Sequence, residues 1–397
     1  MKKRKITYLD NAASTPTDSL VFLEMAKAVK IYGNPSSYND CGREAREYLK
    51  KARLKVSGFL GATPEEVIFT GSGTEANNLA TQGMARKFKS SKHKPHIITT
   101  KIEHPSVLKP VKWLEKNGFD VSYLSVDKEG VVNLDELKSS LRPTTVLASI
   151  MYANNEIGTI QPVLEISKII KNFRSRKLEI IEKTYPFFHT DACQATEYLD
   201  MNVNHLGVDL LTVNGSKIYG PKGVGALYVR RGIELSPLIL GGEQEYGLRA
   251  GTESVVSIGG LAVALGGIDK KEGERLSVLK QYFINEIKNL MPNIKINGAQ
   301  GGKGLPNNVS ISVPDLSSEA MLLELDKYGI CAGSGSACTS HSVEPSHVLK
   351  AVGLGDKYIN GTLRFSMGRQ TTKKDIDYVL EVLPKIVKDL KKRYGKI

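Results

Sequence analysis

Cysteine is scarce in this chain: Cys41, Cys193, Cys331 and Cys338 are four residues in 397, widely spaced and with no C-x-x-C pair among them. That excludes a disulfide framework and a C-x-x-C zinc or redox centre, and it fits a reducing cytoplasm. Internal repeats and low-complexity segments are lacking, as is any apolar run long enough to span a bilayer; the basic start, "MKKRK", is followed by no apolar h-region. A cytoplasmic protein with no export signal and no membrane association is expected. Apolar residues are plentiful, at 41% of the chain, and at this length they imply two or three domains with a large buried core.

Acidic residues are outnumbered, 42 Asp and Glu against 55 Lys and Arg, for a formal net charge of +13. Such an excess raises nucleic acid or an acidic protein as partner. The clusters "KKRK" (2–5), "KFKSSKHK" (87–94) and "KDLKKRYGK" (388–396) lie at an end or between elements, without interleaved aromatics for base stacking. They read as solvated lysine-rich surface, and direct nucleic-acid binding is not expected.

From residue 65 onward, short β-branched or aromatic runs alternate with helix-period segments. The runs are "VIFT" (67–70), "HIITT" (96–100), "DVSYL" (120–124), "TVLASIMY" (145–152), "FFHTD" (187–191) and "DLLTVN" (209–214); helices are predicted over 74–88, 105–117 and 162–173. This alternation predicts an α/β fold with a mainly parallel central sheet and helices on both faces. After "GALYVRR" (225–231) the pattern changes to a helical region over 254–290, then strands near 308–313 and 362–366, and a last helix capped by Thr372 and Asp375. The expected division is a large domain over 17–253 and a smaller α+β domain made of 1–16 and 254–397.

In an open parallel sheet, ligands bind beyond the carboxyl ends of the strands. After "VIFT", the turn "GSGTEANN" carries Gly73 and Thr74 into a helix start, an anion seat that fits neither the dinucleotide nor the Walker pattern. After "HIITT", His104 precedes a helix-starting Pro105 and equally suits a simple cap. After "FFHTD" come Asp191, which also suits a helix N-cap, and Gln194. After "DLLTVN", Lys217 precedes two glycine turns. An amine, an acid, an imidazole and a phosphate seat at the ends of one sheet are what pyridoxal 5′-phosphate requires.

Over nearly its whole length the chain resembles the cysteine desulfurases of the NifS/IscS-like group, within the class V aminotransferase family of fold-type-I pyridoxal-phosphate enzymes. The blocks that carry the resemblance include "YLDNAASTP", "FTGSGTEANNLA", "EHPSVL", "NNEIGTIQP", "HTDACQ", "GSKIYGPKGVGALYVRR", "GLRAGTES", "SGSACTS" and "LRFSMGR". It implies that Lys217 carries the cofactor and moves protons, that His104 stacks on the cofactor ring, and that Asp191 and Gln194 pair with its nitrogen and phenolate oxygen. It further implies a phosphate seat from Gly73, Thr74, Asn214 and Ser216, with Thr252 reaching in across a homodimer interface. Asn155, beside the cofactor, and Arg364 are implied to hold the substrate carboxylate. No metal is implied.

The stretch "CAGSGSACTSHS" (331–342) places Cys338 among very small residues, an accessible and mobile setting, although a lone free cysteine also suits a buried core. The resemblance makes Cys338 the nucleophile that takes sulfur from L-cysteine, leaving L-alanine, and passes its persulfide to a sulfur-acceptor protein for iron–sulfur cluster assembly or tRNA thiolation. One departure stands out. Where the family has Ser-Gly-His-Lys, this chain has Asn214-Gly215-Ser216-Lys217, so the phosphate seat keeps hydrogen-bonding side chains and loses an imidazole. A selenocysteine lyase or small amino-acid aminotransferase of the same fold is the alternative, and a basic RNA-binding scaffold is the alternative of another class.

Overall fold

The computed structural model describes residues 6–88, 93–177, 185–335 and 345–394; Cys338 lies outside them. The runs read from the sequence form β2 (Val67–Thr70), β3 (His96–Thr100), β4 (Asp120–Leu124), β5 (Thr145–Ser149), β6 (Phe187–Asp191), β7 (Leu210–Asn214) and β8 (Gly225–Val229), after a short β1 (Thr7–Tyr8). They make one seven-stranded sheet in the order β2-β8-β7-β6-β5-β3-β4, in which only β8 runs against its neighbours. Helices cover both faces, so β3 and β5 are buried at every residue; their runs are mostly apolar or β-branched, and the two exceptions, His96 and Ser149, are hydrogen-bonded to Thr145 and Ser122 and to His189. Past its regular end β5 stays beside β6, with Ile150 N donating to His189 O at 3.0 Å and Tyr152 N to Asp191 O at 2.9 Å. That extension carries residues 151–156 to the sheet's carboxyl edge.

The expected helix over 74–88 is a continuous helical run built of Gly73–Asn78, a π-turn at Leu79–Gly83 and Met84–Arg86. The region 254–290 is two helices, Val255–Gly266 and Lys270–Leu290, broken where Asp269 caps the second by accepting from Lys271 N. Val255, Ile258 and Leu261 share a core with Val21, Leu49 and Val56, so the packing beneath the large sheet draws on residues beyond 254.

The second sheet is antiparallel, in the order β12 (Gly333–Ser334), β13 (Thr362–Ser366), β10 (Asn308–Ser312) and β9 (Lys295–Asn297). Its core gathers Phe283, Ile311, Leu363, Phe365 and Leu383, with Phe283 and Phe365 edge to face at 5.3 Å. Alternation along β13 buries Leu363 and Phe365 there and turns Arg364 to the other side. β1 pairs in parallel with β11 (Ile330–Cys331). Beyond β1 the chain crosses to the large sheet: Asn11 Nδ2 donates to Ser366 O at 2.8 Å, and Thr15 N to Ser216 O at 2.9 Å.

Candidate active site

The parallel strand ends and β13 bring their polar residues to one cavity of about 310 Å³. Past β2, Ser72 caps the helix Gly73–Asn78 by accepting from Glu75 N at 3.1 Å, and Gly73 and Thr74 line the cavity. Crowding requires glycine at 73, because a Cβ there would lie 2.8 Å from Cys193 Sγ and 3.0 Å from Asn214 Nδ2.

Past β3, His104 is the N-cap of the helix Pro105–Lys116: Ser106 N donates to His104 Nδ1 at 3.1 Å, and the Ser106 hydroxyl lies 2.7 Å from the same nitrogen. The capping role weighed for this histidine is therefore real, and the ring still lines the cavity. With Nδ1 an acceptor, the proton of the neutral ring is assigned to Nε2. Burial lowers the His104 pKa; the Asp191 charge opposes this, while Lys217 and His347 add to the lowering.

Past β6, Asp191 is 8% exposed and has both oxygens engaged, one by Asn77 Nδ2 at 2.6 Å and the other by Cys193 N at 3.0 Å. Asn77 also donates to Ser106 Oγ at 2.8 Å, so one amide ties the carboxylate to the residue that caps with the imidazole. Gln194 lines the cavity and donates to Ala12 O at 2.9 Å. Past β7, the turn Gly215–Lys217 brings Ser216 and Lys217 beside Asn214, and Lys217 Nζ donates to Ala13 O. Burial, reinforced by the Asp191 charge, pushes the Cys193 thiol well above its ordinary range. Cys193 thus stays a thiol, as expected of a structural cysteine.

The facing wall comes from β13 and the segment after β5. Arg364, 1% exposed, donates through Nη1 to Asn155 O at 2.9 Å and through Nη2 to Asp10 Oδ1 at 2.8 Å, while its Nε is buried with no partner among the described residues. A Cβ on Gly333 would lie 2.8 Å from both Arg364 Nη2 and Asp10 Oδ1, so this ion pair needs glycine on the neighbouring strand. Glu156 also lines the cavity, 2% exposed, and accepts from Ser346 Oγ. Burial pushes its pKa up to about 7, against the Ser346 hydrogen bond and the Arg364 charge.

Every residue predicted for the site lines this cavity except Thr252, which is exposed elsewhere, and Cys338, outside the described residues. His347 Nε2 donates to Glu103 O at 2.9 Å, which leaves that nitrogen no lone pair for a metal. The sequence reading passed over Asp10, Asn77, Glu103, Ser106 and Glu156. Each lies within a block already noted, such as "YLDNAASTP" or "NNEIGTIQP"; all but Asp10 stand one to three residues from a residue that was singled out, and for those four proximity was the available signal.

Residues 7–379 match the family described as aminotransferase class-V. A protein of Dictyoglomus turgidum named cysteine desulfurase IscS is 46% identical over 393 residues, which cover 98% of this chain and 96% of the relative. Among solved structures, a NifS-like protein superposes with a TM-score of 0.88 at 35% identity, covering 97% of this chain and 100% of its own. Another, described as SspA in complex with cysteine, has a TM-score of 0.79 at 35% identity and covers 91% of this chain and 98% of its own.

Proposed function

The chain belongs to the aminotransferase class-V family, and from that premise we propose that it is a cysteine desulfurase acting on L-cysteine. The observation that carries the reading is the convergence of Lys217, Asp191 and His104 on one cavity faced by Arg364.

The residues present fit pyridoxal 5′-phosphate. Lys217 is the amine to carry it, Asp191 is a carboxylate already fixed through both oxygens, and His104 offers a flat neutral ring. Gln194 spends one N–H on Ala12 and keeps another for the phenolate oxygen. Gly73, Thr74, Asn214 and Ser216 form the phosphate seat, where two hydrogen-bonding side chains stand in for the family's serine and histidine. When bound, the group supplies an electron sink beside the substrate's α-carbon.

Arg364 and Asn155 hold the substrate carboxylate, a task suited to the guanidinium fork. Lys217 Nζ takes the α-proton and returns it, and the Nε2–H of His104 is a further proton source in the same cavity. The Cys338 thiolate attacks the substrate sulfur: the S–S bond forms, the Cβ–S bond breaks, and the electron pair left on carbon takes a proton to give the methyl group of L-alanine. The persulfide then passes to an acceptor protein, an iron–sulfur scaffold or a tRNA-thiolation relay. We read the protein as a cytoplasmic homodimer in which Thr252 serves the neighbouring chain's site. Support for an apolar contact between copies comes from Leu20, Phe22 and Leu23 on the helix Ser19–Ala28, each more than half exposed.

Borohydride reduction followed by peptide mass mapping tests the assignment. A cofactor adduct is expected on Lys217 and on no other lysine; Cys338→Ala keeps that adduct and forms no alanine from cysteine in a single turnover. An adduct on Lys222, or wild-type alanine formation by Cys338→Ala, would overturn it.

A further inference from the structure

Glu156 is a buried carboxyl in the cavity to which the chemistry above gives no task. Among the described residues its carboxylate accepts one hydrogen bond, from Ser346 Oγ, and no cation stands within ion-pair distance. Gly335 and Ser346 both close over it: a Cβ on Gly335 would lie 2.8 Å from Glu156 Oε2 and 3.3 Å from Ser346 Cβ. The cation whose charge reaches it across the cavity, Arg364, has its ion pair with Asp10. A buried carboxylate without its own cation favours the neutral acid.

Arg364 already balances one carboxylate, Asp10. A substrate carboxylate would be the second on the same guanidinium, and an ionised Glu156 would add a third negative charge to a wall with a single positive one. We propose that Glu156 makes carboxylate capture at Arg364 proton-linked, taking up one proton from solvent as the amino acid binds, so that it positions substrate by removing a competing charge. This rests on the reading of Arg364 as the seat of the substrate carboxylate.

The charged and titratable groups around Glu156 come from several elements. Arg364 faces it from β13, with Asp10 behind Arg364; His347 follows Ser346 and is committed to Glu103 O; His104, Asp191, Cys193 and Lys217 line the same cavity. Arg364 is the one whose charge acts on the Glu156 carboxyl, whose pKa of about 7 puts the expected transition within reach of ordinary assays.

The test is calorimetric titration of the holoenzyme with L-alanine, the carbon product of the proposed reaction, at pH 6, 7 and 8 in buffers of differing ionisation enthalpy. Relative to Glu156→Gln, the wild type should take up close to one extra proton per amino acid bound at pH 8 and almost none at pH 6. Its Kd should weaken about tenfold more than that of the variant between those limits. Equal proton uptake and equal Kd slopes in the two proteins overturn the proposal and leave the Arg364 reading standing. Ethylamine, an amine without the carboxylate, gives a control in wild-type protein that needs no variant. Uptake confined to L-alanine supports the proposal, and identical uptake with ethylamine overturns it. Absence of L-alanine binding at every pH overturns both the proposal and the Arg364 reading.

Discussion

Asp191 and Arg364 face one cavity, yet they are held there in different ways. Asp191 stands at the end of a parallel strand, where sheet topology alone delivers it, and its oxygens are engaged by the Asn77 amide on the helix Gly73–Asn78 and by the Cys193 N–H of the turn after β6. Arg364 is delivered by a separate antiparallel sheet and anchored to groups 209 and 354 positions away in sequence, Asn155 O and Asp10. The sheet wall is thus a consequence of the fold's alternation, and the facing wall depends on the N-terminal segment being laid between the two sheets. On the proposed function the first wall holds a cofactor that stays and the second a substrate that comes and goes.

Breaking the sheet wall should cost most. On the proposed function, Lys217→Ala removes the amine that holds the cofactor and moves the proton, so turnover should fall about a thousandfold or more, with no adduct in the borohydride-reduced protein. A variant that still fixed the cofactor would dissolve the distinction between the walls.

Breaking the facing wall should cost less and in another parameter. Arg364→Ala should raise KM about ten- to a hundredfold, the worth of one or two charge-assisted hydrogen bonds, with a smaller effect on kcat. Asp10→Asn keeps the arginine and loosens its seat, so its effect on KM should be smaller and in the same direction. Equal losses of kcat in Arg364→Ala and Lys217→Ala would mean that the two walls act as one unit.

The same contrast governs what could be read from the residues. β2, β3, β4 and β6 have the bounds their β-branched and aromatic runs predict, and the rule about strand ends led straight to His104, Asp191 and Lys217. Nothing in spacing or composition led to Arg364, whose place depends on β13 lying against β10 and β12; only resemblance singled it out. Asp10 and Glu156 escaped because their importance is relational: Asp10 matters as the ion-pair partner of Arg364, and Glu156 through burial against Gly335 and Ser346. The break between the helices Val255–Gly266 and Lys270–Leu290 escaped for a simpler reason, since helical periodicity continues across a cap such as Asp269.

The last effect falls on stability rather than on turnover and concerns Glu103, the sheet wall's counterpart of Glu156. It is fully buried beside His104; Thr100 Oγ1 donates to its Oε1 at 2.7 Å and Met151 N at 2.9 Å, and Oε2 has no partner among the described residues. Burial pushes its pKa up to about 8, against those two hydrogen bonds and with a small push from the Asp191 charge. A carboxyl raised in the folded state keeps its proton where the unfolded chain has lost it, so the wild type loses stability as pH rises from the usual carboxylate range to about 8 and levels off above. The slope is at most about 1.4 kcal/mol per pH unit. Glu103→Gln has no proton to lose; it retains an acceptor for Thr100 and Met151 and pays a constant cost of about 1–3 kcal/mol for an amide N–H without a partner. In urea titrations at pH 5, 6, 7 and 8, the stability of Glu103→Gln relative to wild type should therefore improve steadily with pH, whatever its starting offset. A difference that stayed flat across that range would mean that Glu103 is ionised in the folded protein, and the sheet wall would then hold a second permanent negative charge beside Asp191.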